Sequence, residues 1–240
     1  MSTKRASESQ PEEGVKIAKI ESTTEETAKN FFLQFKTRLD ISQDERSQVI
    51  NISRDVTAAS KKIIFALHRV KKNGQEPLSM ASDVQTTLAS QYKLIASKFA
   101  EINSLVGNST NVYWKYSRQV SGASEEMIEA MSFQFWLEKG QIMTLEELHE
   151  MIKLHNIDVY VHPRDYISGL FDLTGELMRY GTLNKAHGLP IVALLREFEY
   201  SVFVLTGDPN LVKKIEVFQQ SLAKLERLLY DQSLQVSEVV

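Results

Sequence analysis

The feature that most constrains this chain is a long apolar stripe of helical period. Its members follow one another at alternating intervals of three and four residues: Val49, Ile52, Val56, Ala59, Ile63, Ala66 and Val70. Because an α-helix completes a turn in about 3.6 residues, this spacing places all of these side chains on one side of one helix. Such a helix must bury its stripe against other elements, and Asn73-Gly74 supplies a stop signal after it.

The rest of the sequence predicts further helices and no sheet. The chain has only 10 Gly and 5 Pro among 240 residues, and most of them stand in short clusters between apolar segments. Apolar spacing and capping signals predict helices over 25–38, 82–106, 110–139, 163–180, 190–206 and 209–231, with a short capped helix from Thr144 to about His155. The predicted fold is therefore all-α, a bundle of about seven to eight mostly long antiparallel helices.

The predicted domain organisation is simple. Residues 1–23, rich in Ser, Glu and Lys, are typical of a disordered tail. Residues 24–233 are predicted to form a single helical domain, followed by a flexible C-terminus at 234–240. No apolar run of roughly 18 or more residues occurs, so we expect no membrane contact, and no signal peptide is expected at the start. These features favour the cytoplasm, with the nucleus as the alternative.

Composition excludes several kinds of site. The chain has no Cys, which rules out disulfides, thiolate metal sites and cysteine nucleophiles. The motifs of P-loop nucleotide binding, dinucleotide binding and serine hydrolysis are also absent from the sequence. Lys and Arg total 28 against 31 acids, whereas a dedicated nucleic-acid-binding protein usually carries a basic surplus. Any binding of nucleic acid therefore requires a local basic patch or a partner subunit.

Two pairs of acids lie on two different predicted helices. Glu126 and Glu129 are three residues apart, and Asp172 and Glu176 are four apart, so each pair shares one helix face. The first pair shares its face with Phe133, which predicts an inward-facing position. A set of carboxylates without Cys or His suits a hard cation, Mg²⁺ or alternatively Mn²⁺. We therefore treat these four acids as candidate metal ligands and catalytic residues.

Spacing alone leaves a plainer explanation open. Paired acids are common on solvated helix faces, and Glu176 can pair with Arg179 three residues further on. A di-iron carboxylate bundle also uses acids on facing helices, but it requires two E-x-x-H motifs. This chain has one such motif, at Glu146 and His149, so the di-iron interpretation is disfavoured. The choice between surface charge and a magnesium site stays open on these observations.

Basic residues supply candidate contacts to RNA. Between Arg54 and Lys72, six basic residues are interrupted by a single acid, Asp55. The candidates for RNA binding are Arg54, Lys61, Lys62, Arg69, Arg118 and Arg179. A solvated helix face explains the same run of charge equally well. The aromatic cluster at 113–116 can likewise stack on bases or belong to the core.

Four segments resemble the translin superfamily, and within it the X-type subunits. Residues 165–179, D-Y-I-S-G-L-F-D-L-T-G-E-L-M-R, resemble the family string D-Y-L-x-G-x-x-D-L-T-G-E-L-M-R. Residues 126–133, E-M-I-E-A-M-S-F, resemble its E-x-[VI]-E-A-x-S-F. Residues 53–69 and 220–226 match as well, so the likeness extends in order from about residue 25 to 231.

The resemblance implies a translin-like helical fold that assembles with translin into a closed hetero-octamer. It also implies an Mg²⁺-dependent endoribonuclease centre facing the interior of that assembly. The family's E-x-x-E and D-x-x-x-E acids fall on Glu126, Glu129, Asp172 and Glu176, all four retained. The implied substrates are single-stranded or nicked small RNAs, such as siRNA passenger strands and tRNA-processing fragments. The alternative is a non-catalytic partner that stabilises translin and assists RNA or DNA binding.

Overall fold

The computed structural model describes residues 12–71, 80–202 and 209–237. Within these segments the chain forms α-helices, a short 3₁₀ helix at Lys185–His187 and no β-strand, which confirms the all-α prediction. The helices are α1 Glu12–Leu67, α2 Ser82–Val106, α3 Ser109–Lys139, α4 Leu145–Leu154, α5 Pro163–Leu183, α6 Gly188–Val202 and α7 Pro209–Ser237. None of these described helices is both long and apolar enough to cross a membrane.

Capping signals in the sequence fix several helix ends. The Thr144 hydroxyl accepts a hydrogen bond from the backbone N–H of Glu147 at 3.3 Å, and the Glu147 carboxylate accepts one from the Thr144 N–H at 2.7 Å. This reciprocal pair is the predicted capping box at the start of α4. At the C-terminal end of α3, Gly140 has φ 76°, a left-handed conformation that glycine adopts without strain. These local signals explain why most predicted boundaries agree with the structure.

Two stretches differ from the prediction. The helices predicted separately over 25–38 and 49–70 are one helix, α1, which begins at Glu12 inside the segment predicted as a tail. No Gly or Pro occurs between residues 15 and 73, so nothing in this stretch breaks a helix. The stretch left between the helices predicted over 163–180 and 190–206 instead contains the end of α5, the 3₁₀ turn and the start of α6. Residues 1–11, Asn73-Gly74 and the predicted helix end near 206 lie outside the described residues.

The chain divides into two compact units between Ser47 and Gln48, inside the single domain predicted over 24–233. In the first unit, every described side chain from 26 to 47 is exposed except the half-buried Glu45. Phe31, Phe32 and Phe35 are among the exposed residues and contact one another. The described part of this unit therefore has no core of its own.

The second unit contains the core. The predicted apolar stripe from Val49 to Val70 is buried throughout. α5 is the central element of the packing because it contacts α3, α6 and α7, while α3 also contacts α2 and α4. The rings of Phe133, Trp136 and Tyr180 pack together where α3 meets α5. The candidate acids therefore lie on the two helices that contact each other most extensively.

Gly169 allows α3 and α5 to approach closely. A Cβ at this position would lie 2.7 Å from Ile128 Cγ2 and 3.0 Å from the backbone oxygen of Glu125, so a side chain there would force the helices apart. Gly175, further along the same helix, has no such role, because a Cβ there meets nothing within 4 Å. The close approach at Gly169 brings the carboxylates of the two helices within electrostatic range of each other.

Candidate acidic active site

The structure brings the four predicted acids together on the facing sides of α3 and α5. A groove of about 450 Å³ is lined by Glu126, Glu129, Phe171, Asp172, Gly175, Lys213, Lys214 and Val217. Glu176, one turn beyond Asp172 on α5, is near enough for its charge to act on Glu129. The groove therefore combines acids from α3 and α5 with two lysines from α7.

Glu129 is the most buried of the four acids, with 8% of its surface exposed. Its pKa is raised to about 8, first by the loss of water on burial and then by the charges of Asp172, Glu126 and Glu176, while the charge of Lys214 lowers it. Among the described residues, none donates a hydrogen bond to this carboxyl or forms an ion pair with it. Such a group either holds a proton near neutral pH or needs a cation from outside the chain.

The other three acids each contact a basic side chain. Lys61 on α1 lies 3.2 Å from Glu126, measured from Nζ to Oε1. His68, just after α1, contacts a carboxylate oxygen of Glu176 through its Nε2. Lys214 on α7 lies 2.5 Å from Asp172, measured from Nζ to Oδ2. Two segments, the C-terminal part of α1 with the residue after it and α7, therefore contribute compensating groups to the acids of α3 and α5.

Asp172 and Lys214 form the centre of a wider polar network. Burial raises the pKa of Asp172, and the hydrogen bond and charge of Lys214 offset part of this rise. The same ammonium lies 3.1 Å from Glu125 Oε2 and 3.2 Å from the backbone oxygen of Ser168. Lys214 thus connects α7 to both acid-bearing helices.

The network continues to a second buried acid, Asp165. Its side chain is 1% exposed, and the hydroxyl of Ser121 donates a hydrogen bond to Oδ1 at 2.6 Å. That hydroxyl also lies 3.2 Å from Glu125 Oε1. The other oxygen of Asp165, Oδ2, has no hydrogen-bond partner among the described residues, and burial raises the pKa of this carboxyl. Asp165 does not line the groove.

Of the six basic residues predicted to contact RNA, the structure brings two to the acids. Lys61 pairs with Glu126, and Arg179 lies 3.8 Å from Glu176, as the alternative interpretation of that pair proposed. Arg69 instead forms an exposed pair with Asp83 at 2.8 Å. The remaining three, Arg54, Lys62 and Arg118, are exposed on helix surfaces.

The aromatic cluster at 113–116 proves to be largely core. Tyr113 and Tyr116 are buried, whereas Trp114 is exposed. The Tyr113 ring stacks on the His162 ring at 5.2 Å between centroids. Only Trp114 therefore keeps the ring surface that base stacking would require.

Sequence reasoning missed His68, Glu125 and Lys214. His68 is 108 residues from Glu176, and Lys214 is 42 residues from Asp172, so no local spacing connects them. One signal does mark Lys214, which is a charged residue within a stripe of buried apolar side chains on α7. That stripe consists of Leu211, Phe218, Leu222 and Leu225.

The donor set has the chemistry of a site for Mg²⁺ or Mn²⁺. Carboxylate oxygens are the preferred ligands of these cations, and Glu129 is a buried acid that no described basic side chain contacts, so an added cation would balance its charge once it is ionised. Within the described residues, however, no three acidic or histidine side chains are gathered closely enough to hold an ion as they stand. Binding of an ion would therefore require some of these acids to give up their contacts with Lys61, His68 or Lys214.

Comparison with known proteins gives a consistent result. A family model described as the Translin family matches residues 44–236. A Translin-associated protein X homolog of Schizosaccharomyces pombe is 28% identical over 217 residues, 86% of this chain and 89% of the relative. Translin-associated protein X of Mus musculus is 27% identical over 240 residues, 87% of this chain and 79% of the relative.

A solved structure shares the fold. The crystal structure of apo-NeC3PO aligns with a TM-score of 0.56 at 15% identity, covering 82% of this chain and 94% of that one. Identity this low supports the fold and nothing finer. The family match, in contrast, covers most of the chain, including all four candidate acids and the three basic residues that contact them. The chain belongs to the translin family.

Proposed function

We propose that this chain is the acid-bearing subunit of a hetero-oligomer with translin, and that it hydrolyses phosphodiester bonds of single-stranded or nicked RNA with Mg²⁺. The observation that supports this most directly is the groove between α3, α5 and α7, where Glu129 is buried among like charges without a compensating partner of its own. A structural acid is normally paired or hydrogen-bonded. The similarity to proteins named Translin-associated protein X supports translin as the partner.

The four acids would divide the work by their surroundings. Glu126, Asp172 and Glu176 would hold the cation once their contacts with Lys61, Lys214 and His68 are exchanged. When bound, the ion would polarise a phosphate oxygen and acidify an attacking water. Glu129, whose pKa is raised to about 8, is mostly protonated near neutral pH while no ion is bound. Once ionised beside a bound cation, its carboxylate would complete the ion site and could accept a proton from the attacking water.

A second candidate function is a non-catalytic subunit that stabilises translin and assists binding of RNA or DNA. It is favoured by a specific observation, since three of the four acids already contact basic side chains. If those contacts are purely structural, the acids serve folding and no ion enters. The two functions differ in whether a carboxylate substitution affects cleavage.

The test is cleavage of an end-labelled single-stranded RNA by the complex reconstituted with translin, in Mg²⁺ and in EDTA. We expect Asp172→Ala and Glu126→Ala each to reduce the rate by about 100-fold or more, because each removes a carboxylate from the ion site. Glu150→Ala, which removes an exposed acid from α4, is the matched control and should cleave like the wild type. Native mass determination must show that every variant assembles equally.

The outcomes separate the two functions. Mg²⁺-dependent cleavage that is unchanged in both Asp172→Ala and Glu126→Ala would contradict the proposed active site. Absence of cleavage by a fully assembled wild-type complex, together with unchanged RNA affinity in both variants, would favour the non-catalytic subunit. Loss of cleavage in the two variants with retained assembly and RNA binding is the result we expect.

A further inference from the structure

Lys214 is placed where an apolar residue would be expected. Its neighbours along the same stripe of α7, Leu211, Phe218 and Leu222, are buried in the core. Only 26% of the lysine side chain is exposed. An ammonium removed from water to this extent is stable only if other groups replace the lost hydration. Burial of this ammonium therefore costs free energy, and packing alone does not explain why a lysine stands at this position.

Three oxygen atoms replace that hydration. The ammonium lies 2.5 Å from Asp172 Oδ2, 3.1 Å from Glu125 Oε2 and 3.2 Å from the backbone oxygen of Ser168. A lysine has three N–H donors, so this set can engage all of them. Burial by itself lowers the pKa of Lys214, but the hydrogen bond and charge of Asp172 and the charge of Glu125 raise it overall, so the group stays charged.

We propose that Lys214 is a built-in counter-ion of the acid centre, which holds Asp172 while no divalent cation is bound and gives it up when the cation enters. This inference rests on the proposed function, because it requires that the groove takes up such an ion. Lys214 is then a positioning residue that sets the affinity for the ion. It is not assigned a contact with the reacting atoms.

The arrangement of the acids supports this exchange. Among the described residues, no three acids are gathered as a ready-made ion site, and one of the two carboxylate oxygens of Asp172 is in contact with the ammonium. Lys61 is a weaker obstacle to loading. Its side chain is 63% exposed, and exposed ion pairs are largely screened by solvent and salt. Lys214, with three oxygen contacts in a half-buried place, is the partner whose displacement should matter most.

The proposal predicts the sign of a binding change. An ammonium beside a divalent cation repels it, and in a partly buried groove this repulsion is screened less than on the surface. Removing the ammonium should therefore increase the affinity of the centre for the ion. If Lys214 merely supported the fold, its removal would loosen the acids and weaken binding of the ion instead.

The experiment is a titration of the full-length chain with Mn²⁺, followed by the electron paramagnetic resonance signal of the free ion near pH 8.5. At that pH Glu129, whose pKa is raised to about 8, is mostly ionised. We expect Lys214→Met to bind Mn²⁺ roughly tenfold more tightly than the wild type, because a positive charge is lost next to the ion. If the chain is obtained only with translin, the complex is used and the signal of translin alone is subtracted.

Two variants serve as controls, and a third repeats the charge removal. Lys214→Arg keeps the positive charge and should bind Mn²⁺ like the wild type. Lys224→Met removes a charge from an exposed position on the same helix, roughly 15 Å away along its axis, and should also leave the affinity unchanged. Lys214→Gln removes the charge but keeps a hydrogen-bonding group, so it repeats the expectation for Lys214→Met if the methionine variant does not fold. Circular dichroism establishes which variants are folded.

The outcomes distinguish this inference from the proposed function. Tighter binding in Lys214→Met or Lys214→Gln, with both remaining controls unchanged, supports the exchange. Equal or weaker Mn²⁺ binding by a folded charge-removal variant overturns it, while binding by the wild type leaves the proposed function intact. Absence of Mn²⁺ binding in the wild type and in every variant overturns both proposals together.

Discussion

Two buried acids at the same helix interface, Glu129 and Asp165, have very different surroundings. Asp165 receives a hydrogen bond from Ser121 at 2.6 Å and lies in the first turn of α5, where the helix dipole favours a negative charge. Charges of both signs act on it, because His162 and Arg164 oppose Glu125. Asp165 is thus compensated by groups that belong to the chain itself.

Glu129 lacks most of that compensation. It lines the groove, and three of the four charges that act on it are other acids. Both carboxyl groups have raised pKa values, so burial alone does not separate them. The difference is that Asp165 is enclosed by the protein, whereas Glu129 faces a space that an added cation can enter. An open groove and like-charged neighbours together therefore distinguish Glu129, the proposed site residue, from Asp165.

The largest expected difference between the two acids concerns cleavage of RNA by the complex with translin. Glu129→Gln should lower the Mg²⁺-dependent rate by about 100-fold or more, because it removes both a proton acceptor and a carboxylate of the ion site. Asp165→Asn keeps an acceptor for Ser121 and should cleave at nearly the wild-type rate. Initial rates on an end-labelled RNA measure both. An equal loss of activity in the two variants would show that the comparison is wrong.

The same pair of variants should separate in their response to a divalent ion. Mn²⁺ at about a hundredfold excess over its dissociation constant adds about 2.7 kcal/mol to the free energy of unfolding of a protein that binds it only when folded. The wild type and Asp165→Asn should gain this stability, and Glu129→Gln should lose most of it. Urea unfolding with Mn²⁺ and with EDTA gives the difference. A full Mn²⁺ effect in Glu129→Gln would exclude that acid from the ion site.

The features of this site that depend on nearby residues can be predicted from the sequence. Each acid pair is visible because helical spacing of three or four residues puts its members on one face, and the helix ends are visible because caps act over a few residues. Asp165 and Asp172 are seven residues apart, which places them on one face of the helix predicted over 163–180, two turns from each other. Their spacing therefore gives no indication that one is enclosed and the other lines a groove.

The contacts between the acids and residues far away in the sequence could not be predicted. Lys61, His68 and Lys214 reach the acids only after α1 and α7 pack against the rest of the second unit. The continuous α1 was missed for another reason. The helix predicted over 25–38 ends too early, because the polar residues after it resemble a helix end although none of them prevents helical backbone as Gly or Pro does.

The stretch of α5 between the two acids provides a smaller test. Gly169→Ala places a Cβ 2.7 Å from Ile128, so we expect a loss of about 1–3 kcal/mol in the free energy of unfolding, as for other overpacked positions. Gly175→Ala adds a Cβ in open space and should be neutral or stabilising, because Ala favours a helix over Gly. Urea denaturation of both variants measures the difference. Equal stability of the two would mean that the close approach of α3 and α5 is not needed.

The most gradual effect is the dependence of stability on pH in EDTA. Glu129 has an ordinary pKa of 4.5 in the unfolded chain and about 8 in the folded one. Between these values the folded state binds more protons than the unfolded state, so this group makes stability fall as the pH rises, and its full cost is present above about pH 8. Glu129→Gln removes the titration. Its stability relative to the wild type should therefore increase from about pH 5 to about pH 8.5, by on the order of 1 kcal/mol for each pH unit between the two pKa values.

Asp165→Asn also removes a buried acid with a raised pKa, so it should change stability with pH in the same direction. We expect the pH dependence of stability to differ between the two variants once Mn²⁺ is added. The ion replaces the proton on Glu129 and should flatten the pH dependence of the wild type and of Asp165→Asn above neutral pH, but it has no such site to fill in Glu129→Gln. If Mn²⁺ leaves the pH profile of the wild type unchanged, the negative charge of Glu129 is balanced by the chain's own residues. Glu129 would then resemble Asp165.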